Sequence, residues 1–382
     1  LWYRRMFQHQ TREGHRTHLH FEAVDYECTV YLNGKKIGSH KGSSDPFKFD
    51  ITDAVHPGDN ELTVSVIDHT APSQTLGKQS LQPKGIYYTR VSGIWQTVWL
   101  EDVSERHFHM VKMKPRIAEG TLRVLPTLEG NPFEGERIVI TVRDGERVVG
   151  VADAALSVRI PDAKLWSPQS PSLYDITMEL FDGEELVDRV ESYAAMREVG
   201  TVRGPAGQIR MTLNDKVVFH YGTLDQGWWP DGLLTPPSDA AMRFDIEYLK
   251  KSGFNMIRKH IKVESRRYYA HCDRIGMMVW QDMPSTGGGP FWSKLAPDPV
   301  EDEWPVEHHE QFVKELKSMV GSLRNHPSIV MWVPFNERWG QHETIRVGQL
   351  MENLDITRLV NIASGGNFFP VGDVVDRHNY PE

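Results

Sequence analysis

Residues 324–337 read RNHPSIVMWVPFNE. Their apolar centre, Ile329–Val333, has the length and composition of a buried β-strand, and a proline bounds it on each side. The two residues that close the stretch, Asn336 and Glu337, are polar. A short apolar strand that ends on a polar pair is typical of a parallel sheet with functional groups at its C-terminal edge.

The chain on either side of this stretch alternates short apolar strands with helices. Strands are predicted at 217–221, 255–260, 277–280, 329–333, 359–363 and 374–376. Helices are predicted at 238–252, 266–274, 306–324 and 343–354, with Ser238 as an N-cap and glycines as stops. This order predicts a βα-barrel or a doubly wound parallel sheet.

The positions of the polar residues favour the barrel, whose active sites gather at the C-terminal ends of the strands. The predicted strands end on or near Asp225, Arg258, His260, Gln281, Asp282, Asn336, Glu337, Ser364 and His378. Four tryptophans are expected near the same rim, namely Trp228, Trp229, Trp280 and Trp339.

The first two hundred residues show the period-two pattern of β-structure. Residues 1–103 are predicted to form a jelly-roll β-sandwich, because short alternating strands are joined by turns such as Asn33-Gly34. Residues 104–200 are predicted to form an immunoglobulin-like β-sandwich, with Trp166 in its core. The predicted fold is therefore multidomain, β followed by α/β, with a (β/α)8 barrel domain at 201–382 of which about six strands are present.

Composition excludes several classes of function. The formal net charge of -9 over 382 residues argues against a nucleic-acid partner. No apolar run reaches the roughly 18 residues of a membrane span. The two cysteines, Cys28 and Cys272, lie far apart and predict no disulfide framework. The chain begins at Leu1, so cytoplasmic, periplasmic and secreted locations all stay open.

Three clusters of charged or metal-ligating residues are expected to be ordinary surface. The basic run 259–267 is interpreted as a solvated helix face. His308 and His309 open a helix in a spacing that fits no zinc motif, and His18 and His20 share one face of a strand. Solvent exposure is expected for both histidine pairs, and no metal site is predicted.

The stretch 324–337 closely resembles the acid/base signature of glycoside hydrolase family 2, in which an Asn-Glu pair ends the fourth barrel strand. Further stretches resemble the family in the family's own order, so the resemblance covers essentially the whole chain. These stretches are 1–5, 30–35, 91–95, 165–168, 193–199, 257–260 and 376–380.

The resemblance implies a retaining exo-β-glycosidase with a carbohydrate substrate and no cofactor. Glu337 is then the acid/base, kept protonated by burial and by a neighbouring nucleophile. Asn336 is expected to bind the sugar 2-hydroxyl, His260 and His378 other hydroxyls, and Arg258 to orient carboxylates. Substrate contacts are also expected from Asp225, Asp282 and Trp339, although Asp282 fits a hydrogen-bond partner of such a residue equally well.

Two features depart from the family pattern. The family's nucleophile is a Glu on the seventh strand, which is expected beyond Glu382, so the chain is expected to be truncated within the barrel. Glu382 itself follows a proline directly after strand six and is not assigned that role. In addition, residues 85–90 hold no acid, which disfavours one subgroup of galactosidases.

Three functions remain open at this point. The leading prediction is a glycosidase acting on a terminal β-galactoside, β-glucuronide or β-mannoside. The alternative is a catalytically inactive carbohydrate-binding protein of the same fold. A purely structural scaffold is the third, and the polar rim argues against it. A homo-oligomer also stays open.

Overall fold

The computed structural model describes residues 1–380. Glu382 therefore lies outside the described residues. The first eleven strands are β1 (Trp2–His9), β2 (His15–Phe21), β3 (Val24–Asp25), β4 (Glu27–Leu32), β5 (Lys35–Lys41), β6 (Phe47–Asp50), β7 (Gly58–Ile67), β8 (Gln79–Ser80), β9 (Tyr88–Thr89), β10 (Gly93–Ile94) and β11 (Val98–Ser104).

These strands form a β-sandwich, the first domain. Its two larger sheets have the orders β1-β7-β4-β5 and β11-β2-β6, and both are antiparallel. Strand β4 shows why the sequence folds this way, since Cys28, Val30 and Leu32 alternate into the core. Leu19 and Phe21 meet them from the facing sheet.

The second domain is another antiparallel sandwich. Its strands are β12 (His107–Arg116), β13 (Thr121–Glu129), β14 (Glu136–Asp144), β15 (Arg147–Asp153), β16 (Ser157–Arg159), β17 (Tyr174–Asp182) and β18 (Glu185–Ala194). Its sheets have the orders β12-β13-β16 and β15-β14-β17-β18. Val124, Ile140, Val142 and Met178 fill the space between them.

Trp166 does not lie in the core of this second sandwich, so that prediction is wrong. Its fully buried ring packs with Met256, Met278 and Val330 of the barrel. Its Nε1 donates to the carbonyl oxygen of Asp273 at 2.8 Å. A tryptophan needs a partner for its N–H when it is buried, and the barrel supplies one.

The third part alternates strands with helices. Its strands are β19 (Val199–Arg203), β20 (Ile209–Leu213), β21 (Lys216–Val217), β22 (Gly222–Asp225), β23 (Met256–Lys259), β24 (Met278–Asp282), β25 (Ile329–Val333), β26 (Phe335–Asn336), β27 (Leu359–Val360) and β28 (Ala363–Ser364). Its helices are α1 (Asp239–Lys251), α2 (Arg266–Ile275), α3 (Val306–Leu323) and α4 (Thr344–Leu354).

Five of these strands form a parallel sheet in the order β22-β23-β24-β25-β27, as a barrel wall requires. The predicted fold class, β-sandwiches followed by a βα-barrel, is confirmed. None of the helices within residues 1–380 combines the length and hydrophobicity needed to cross a bilayer.

Two predicted barrel strands differ in the structure. The first lies at Gly222–Asp225 rather than at 217–221, because residues 216–217 pair instead with the hairpin of β19 and β20. Residues 374–376 form no strand. They are nevertheless held beside β28, since Gly365 N donates to the carbonyl oxygen of Asp376 at 2.9 Å.

The basic run 259–267 is a solvated helix face only at Arg266 and Arg267, which are exposed on α2, so that interpretation is wrong for its two lysines. Lys259 and Lys262 are almost completely buried at the C-terminal edge of β23. Their Nζ atoms lie 2.6 and 2.7 Å from the same oxygen of Glu264. Strand β23 continues into this run, so the barrel encloses charges that the sequence pattern assigns to the surface.

The two histidine pairs are also less exposed than expected. His309 is buried, with its Nδ1 3.0 Å from Nε2 of His342, whereas His308 is only half-buried. His18 is 3% exposed and His20 half-buried. The predicted exposure is therefore wrong for His18 and His309.

Candidate active site

The parallel strands bring most of the predicted site residues to one edge of the barrel. Asp225 is in register with Lys259, which is in register with Gln281. Asn336 is in register with Ser364 in the short pair β26 and β28. Because carboxyl ends of parallel strands share one edge, residues far apart in sequence become neighbours.

Arg258 connects the groups at this edge. Its guanidinium donates to both oxygens of Asp282, at 3.0 and 2.9 Å. Nη2 also donates to Oδ1 of Asn336 at 2.8 Å, and Nη1 lies 3.3 Å from Nε2 of His378. A buried bidentate pair of this kind has a fixed geometry, so Arg258 holds three other site residues in place.

His260 contacts the same carboxylate, that of Asp282. Its Nδ1 lies 3.0 Å from Oδ2 of Asp282, which also accepts from the backbone N–H of Ile261 at 3.2 Å. Burial lowers the pKa of His260, so the ring is neutral near pH 7. A carboxylate only accepts hydrogen bonds, so Nδ1 carries the hydrogen and Nε2 is an acceptor. Asp282 thus acts here as a hydrogen-bond partner of other site residues.

Glu337 follows β26 with a φ of +50°. Its Oε1 accepts from Nδ1 of His378 at 3.2 Å and from the hydroxyl of Tyr380 at 3.0 Å. The His378 hydrogen bond is the main cause that lowers the pKa of Glu337, and it outweighs the effect of burial. Burial alone therefore does not keep this carboxyl protonated within residues 1–380, and the predicted effect of a neighbouring nucleophile stays a prediction.

The tautomer of His378 follows from its neighbours. Arg258 has only donors to offer, so Nε2 of His378 accepts from it. Nδ1 must then carry the hydrogen, which it donates to Glu337. Nε2 also lies 3.0 Å from Oγ of Ser364. The ring is thereby fixed between the arginine and the glutamate.

Gly366 allows the backbone to approach Glu337 closely. A Cβ atom at this position would overlap the carbonyl oxygen and carbon of Glu337. The backbone N–H of Glu337 donates to the carbonyl oxygen of Ser364 at 2.6 Å, so the two chain segments lie in contact. The site therefore requires a glycine at position 366.

Asp225 is not brought into the Arg258 network. Its Oδ1 lies 3.2 Å from Nζ of Lys259, and its Oδ2 accepts from the hydroxyl of Tyr268 at 2.7 Å. Burial would raise the pKa of Asp225, but Lys259 and Tyr268 outweigh it and the pKa is lowered. Asp225 and Lys259 therefore form an ion pair within the barrel wall.

Aromatic side chains of the first domain meet the barrel rim. Trp339 stacks on Tyr87 with ring centroids 5.8 Å apart, and Trp228 stacks on Tyr88 at 4.6 Å. Trp280 does not join these aromatic pairs. It packs with Met331 and donates to Nδ1 of His220 at 2.9 Å. The expectation that Trp280 belongs to the rim is wrong.

The sequence did not single out two residues that the structure places at this site. Tyr380 belongs to the family-like stretch 376–380, and its position two residues after His378 is the signal that points to it. Lys78 comes from the first domain and is 8% exposed, with Nζ 3.1 Å from Oε1 of Gln226. Burial lowers its pKa, and the charge of Glu337 opposes this. No local sequence pattern predicts Lys78 as a site residue, because only the packing of the first domain against the barrel brings it to the site.

Comparison with known families agrees with this arrangement. Residues 1–103 match the sugar binding domain of glycosyl hydrolases family 2, residues 118–197 match the model named glycosyl hydrolases family 2, and residues 237–378 match the family's TIM barrel domain. The chain belongs to glycosyl hydrolase family 2.

Relatives of this family 2 chain carry glycosidase names. A β-galactosidase of Thermoanaerobacter pseudethanolicus is 26% identical over 94% of the chain and 47% of the relative. A putative β-glucuronidase of Formosa agariphila is 25% identical over 88% of the chain and 40% of the relative. The chain thus spans less than half the length of these two proteins.

Solved structures share the fold. The chain superposes with a TM-score of 0.78 on an FMN-binding β-glucuronidase from Facaelibacterium prausnitzii L2-6. The two are 24% identical, and the match covers 94% of this chain and 56% of that one. This likeness supports the three-part architecture of the family 2 chain.

Proposed function

We propose that this chain carries the acid/base half of a retaining exo-β-glycosidase that acts by double displacement. The observation that carries the proposal is the Glu337 carboxyl at the C-terminal barrel edge, held by His378 and Tyr380. The names of the family 2 relatives, β-galactosidase and β-glucuronidase, support a β-glycosidase. Retention is proposed from the family resemblance.

In the first step of this mechanism, Glu337 donates its proton to the leaving glycosidic oxygen. The hydrogen bonds from His378 and Tyr380 favour the opposite, ionised form. The nucleophile, a Glu expected beyond Glu382, would lie about 5–5.5 Å away, and its negative charge would raise the pKa of Glu337.

In the second step, Glu337 takes a proton from the water that releases the sugar. The nucleophile is then esterified and has lost its charge, so the pKa of Glu337 falls again. The donors His378 and Tyr380 stabilise the carboxylate at the moment when it must act as a base. The two hydrogen bonds therefore suit the second half of the cycle.

Asn336 and His260 are proposed to bind sugar hydroxyls. Arg258 accepts no hydrogen bond, so Asn336 must turn its amide oxygen toward it, which leaves the amide N–H group for the sugar 2-hydroxyl. Nε2 of His260 is an acceptor for another hydroxyl, because Nδ1 is engaged by Asp282. Both orientations are set before substrate arrives, so little ordering is left for the transition state.

The stacked pairs formed by Tyr87 with Trp339 and by Tyr88 with Trp228 support action on a chain end. They close one side of the barrel mouth with side chains of two domains. A wall in this place favours a pocket for a terminal sugar over an open cleft. A galactoside and a glucuronide are the two substrates that the names of the relatives support.

The proposal is tested by assaying the whole protein on aryl β-galactoside, β-glucuronide, β-mannoside and β-glucoside. One substrate should be cleaved, and Glu337→Gln should reduce the hydrolysis of unactivated substrates about 10²–10⁴-fold. Glu184→Gln is a matched control, because Glu184 is exposed in a turn of the second domain. Undiminished cleavage by Glu337→Gln would contradict the role. Sugar binding without cleavage by the unaltered protein would favour the inactive carbohydrate-binding alternative.

A further inference from the structure

A second set of functional groups lies at the junction of the first two domains. Leu19 and Phe21 of β2 point into the core of the first sandwich, so His18 and His20 share the opposite face. That face meets the second domain, where the ring of His107 lies 5.1 Å from that of His18. Two domains thus contribute histidines to one buried location.

Carboxylates complete two groups of three potential metal ligands. One consists of His18, His107 and Glu129, and the other of His18, His20 and Glu101. Within each group the ligand atoms lie within 4.8 Å of one another. The positions follow from strand register, since His107 is opposite Glu129 and His18 is opposite Glu101.

His107 has the orientation of a metal ligand. Its Nδ1 lies 2.8 Å from the carbonyl oxygen of Ser104, which only accepts, so Nδ1 carries a hydrogen. Its Nε2 is buried without a hydrogen-bond partner and lies 3.3 Å from Oε2 of Glu129. A neutral ring would turn a lone pair toward a carboxylate. A cation between the two atoms would satisfy both, and a backbone carbonyl behind the ring is the usual support of a ligating histidine.

The geometry also suits the size of a zinc site. Bonds of about 2.0–2.1 Å to a tetrahedral ion place neighbouring ligand atoms roughly 3.3 Å apart. The contact between His107 and Glu129 already has this length, 3.3 Å.

Lys48 is one group that competes with an ion for the Glu129 carboxylate, and His109, whose Nδ1 lies 3.0 Å from Oε1, is another. Nζ of Lys48 lies 2.6 Å from Oε2 of Glu129 and 3.4 Å from Nδ1 of His18. A quarter of its side chain is exposed, so the ammonium group can move outward along a short path. The lysine and a metal ion are alternative partners of one carboxylate.

We propose that His18, His107 and Glu129 form a zinc-class metal site that links the first domain to the second. The two imidazoles and one carboxylate are a donor set for zinc or a similar transition metal, whereas Mg²⁺ and Ca²⁺ prefer oxygen ligands. The second group, with His20 and Glu101, adjoins it through the shared His18. The bound ion fixes the angle between two domains, the first of which walls the barrel mouth.

The test is calorimetric titration of the whole protein, without a polyhistidine tag and after treatment with a chelator. Zinc chloride should bind at one ion per chain, and magnesium and calcium chloride should not compete. His107→Ala should weaken zinc binding at least about 10-fold. Lys48→Met should tighten it about tenfold, because it removes a competing charge within a few ångströms of the ion. His56→Ala, which removes an exposed histidine of the first domain, should change nothing.

Several outcomes would overturn the site. These are the absence of saturable zinc binding, equal affinity in His107→Ala and the unaltered protein, and weaker binding in Lys48→Met. If His107→Ala fails to fold, Glu129→Gln replaces it, since that side chain is 39% exposed and its loss leaves the histidines in place. Unchanged zinc affinity in Glu129→Gln would equally reject the proposal.

Discussion

Glu337 combines an uncommon backbone conformation with several specific contacts. A φ of +50° costs a non-glycine residue about 1–3 kcal/mol, and it persists only where the surroundings determine it. Here the backbone N–H is bonded to Ser364, and the carboxyl is bonded to His378 and Tyr380. Such strain is common at functional sites.

The role of Glu337 as an acid predicts a dependence on the leaving group. Glu337→Gln should reduce cleavage of a methyl glycoside far more than that of a dinitrophenyl glycoside, which needs no proton to depart. The ratio of the two losses in kcat/KM should be about 10²-fold or greater. Equal losses on both substrates would indicate that Glu337 only binds the sugar.

Lys78 predicts a preference among sugars. The Lys78 ammonium group is almost completely buried and lies within the electrostatic reach of Glu337, and such a group suits a carboxylate of the substrate better than a hydroxyl. Lys78→Met should therefore lower kcat/KM for an aryl β-glucuronide about tenfold more than for the β-galactoside. Lys84→Met, which alters an exposed lysine nearby, is the control. Equal effects on both sugars would exclude carboxylate recognition by Lys78.

At the scale of elements, helix α2 ends against the second domain. Gly276 has a φ of +73°, and a Cβ there would lie 2.7 Å from the carbonyl oxygen of Pro168. Gly253 follows α1 with a φ of +93° and open space around it. The two glycines differ in this contact, although both terminate a helix.

Alanine at these two positions should therefore have unequal costs. Gly253→Ala should lower the free energy of unfolding by about 1–2 kcal/mol, which is the cost of a left-handed backbone. Gly276→Ala should lower it by that amount plus roughly 1–3 kcal/mol, because the Pro168 backbone must shift. Urea unfolding measures both, and equal losses would show that the contact with Pro168 carries no energy.

The sequence predicted elements well where the local pattern was sufficient. Ile329–Val333 is a strand with the predicted bounds, Ser238 caps α1 and Gly276 ends α2. The prediction was wrong at 217–221, where an extended segment can pair either with the barrel sheet or with a hairpin. That choice depends on tertiary pairing, which no local pattern contains.

For the candidate site as well, the sequence predicted what local pattern and strand order determine and missed what tertiary contacts determine. Strand order alone predicted that Arg258, Asn336 and Glu337 would meet, because parallel strands share one carboxyl edge. Asp225 is paired with the buried Lys259, against the expectation of a solvated basic run, and its predicted contact with substrate stays a prediction. Trp280 is in register with Arg258, but it packs against Met331 and donates to His220, and these tertiary contacts cannot be read from the local sequence.

At the scale of the whole molecule, one buried carboxyl joins the first domain to the barrel. Glu315 of α3 is 3% exposed and accepts from Thr75 Oγ1 at 2.5 Å, from Tyr26 at 3.2 Å and from the backbone N–H of Ser43 at 3.2 Å. Burial, together with the charge of Asp45, raises its pKa. This docking holds the domain whose aromatic residues line the barrel mouth.

The raised pKa of Glu315 predicts a pH effect on stability. The folded state keeps the proton above the ordinary pKa of about 4.3, where the unfolded state releases it. Stability from this group is therefore complete below that value and declines as pH rises through the folded pKa. Glu315→Gln should show a smaller fall in Tm than the unaltered protein as the pH rises from about 4, where the unfolded state begins to release its proton. Parallel Tm profiles would contradict the assignment.

The most direct measurement of the central claim is azide rescue of Glu337→Ala in the whole protein. With a dinitrophenyl β-glycoside of the cleaved sugar, azide should raise the slow turnover at least about tenfold, since it attacks without a general base. The product should be the β-glycosyl azide, identified by its NMR coupling constant, because two inversions retain configuration. No acceleration, or an α-glycosyl azide, would contradict Glu337 as the acid/base of a retaining glycosidase.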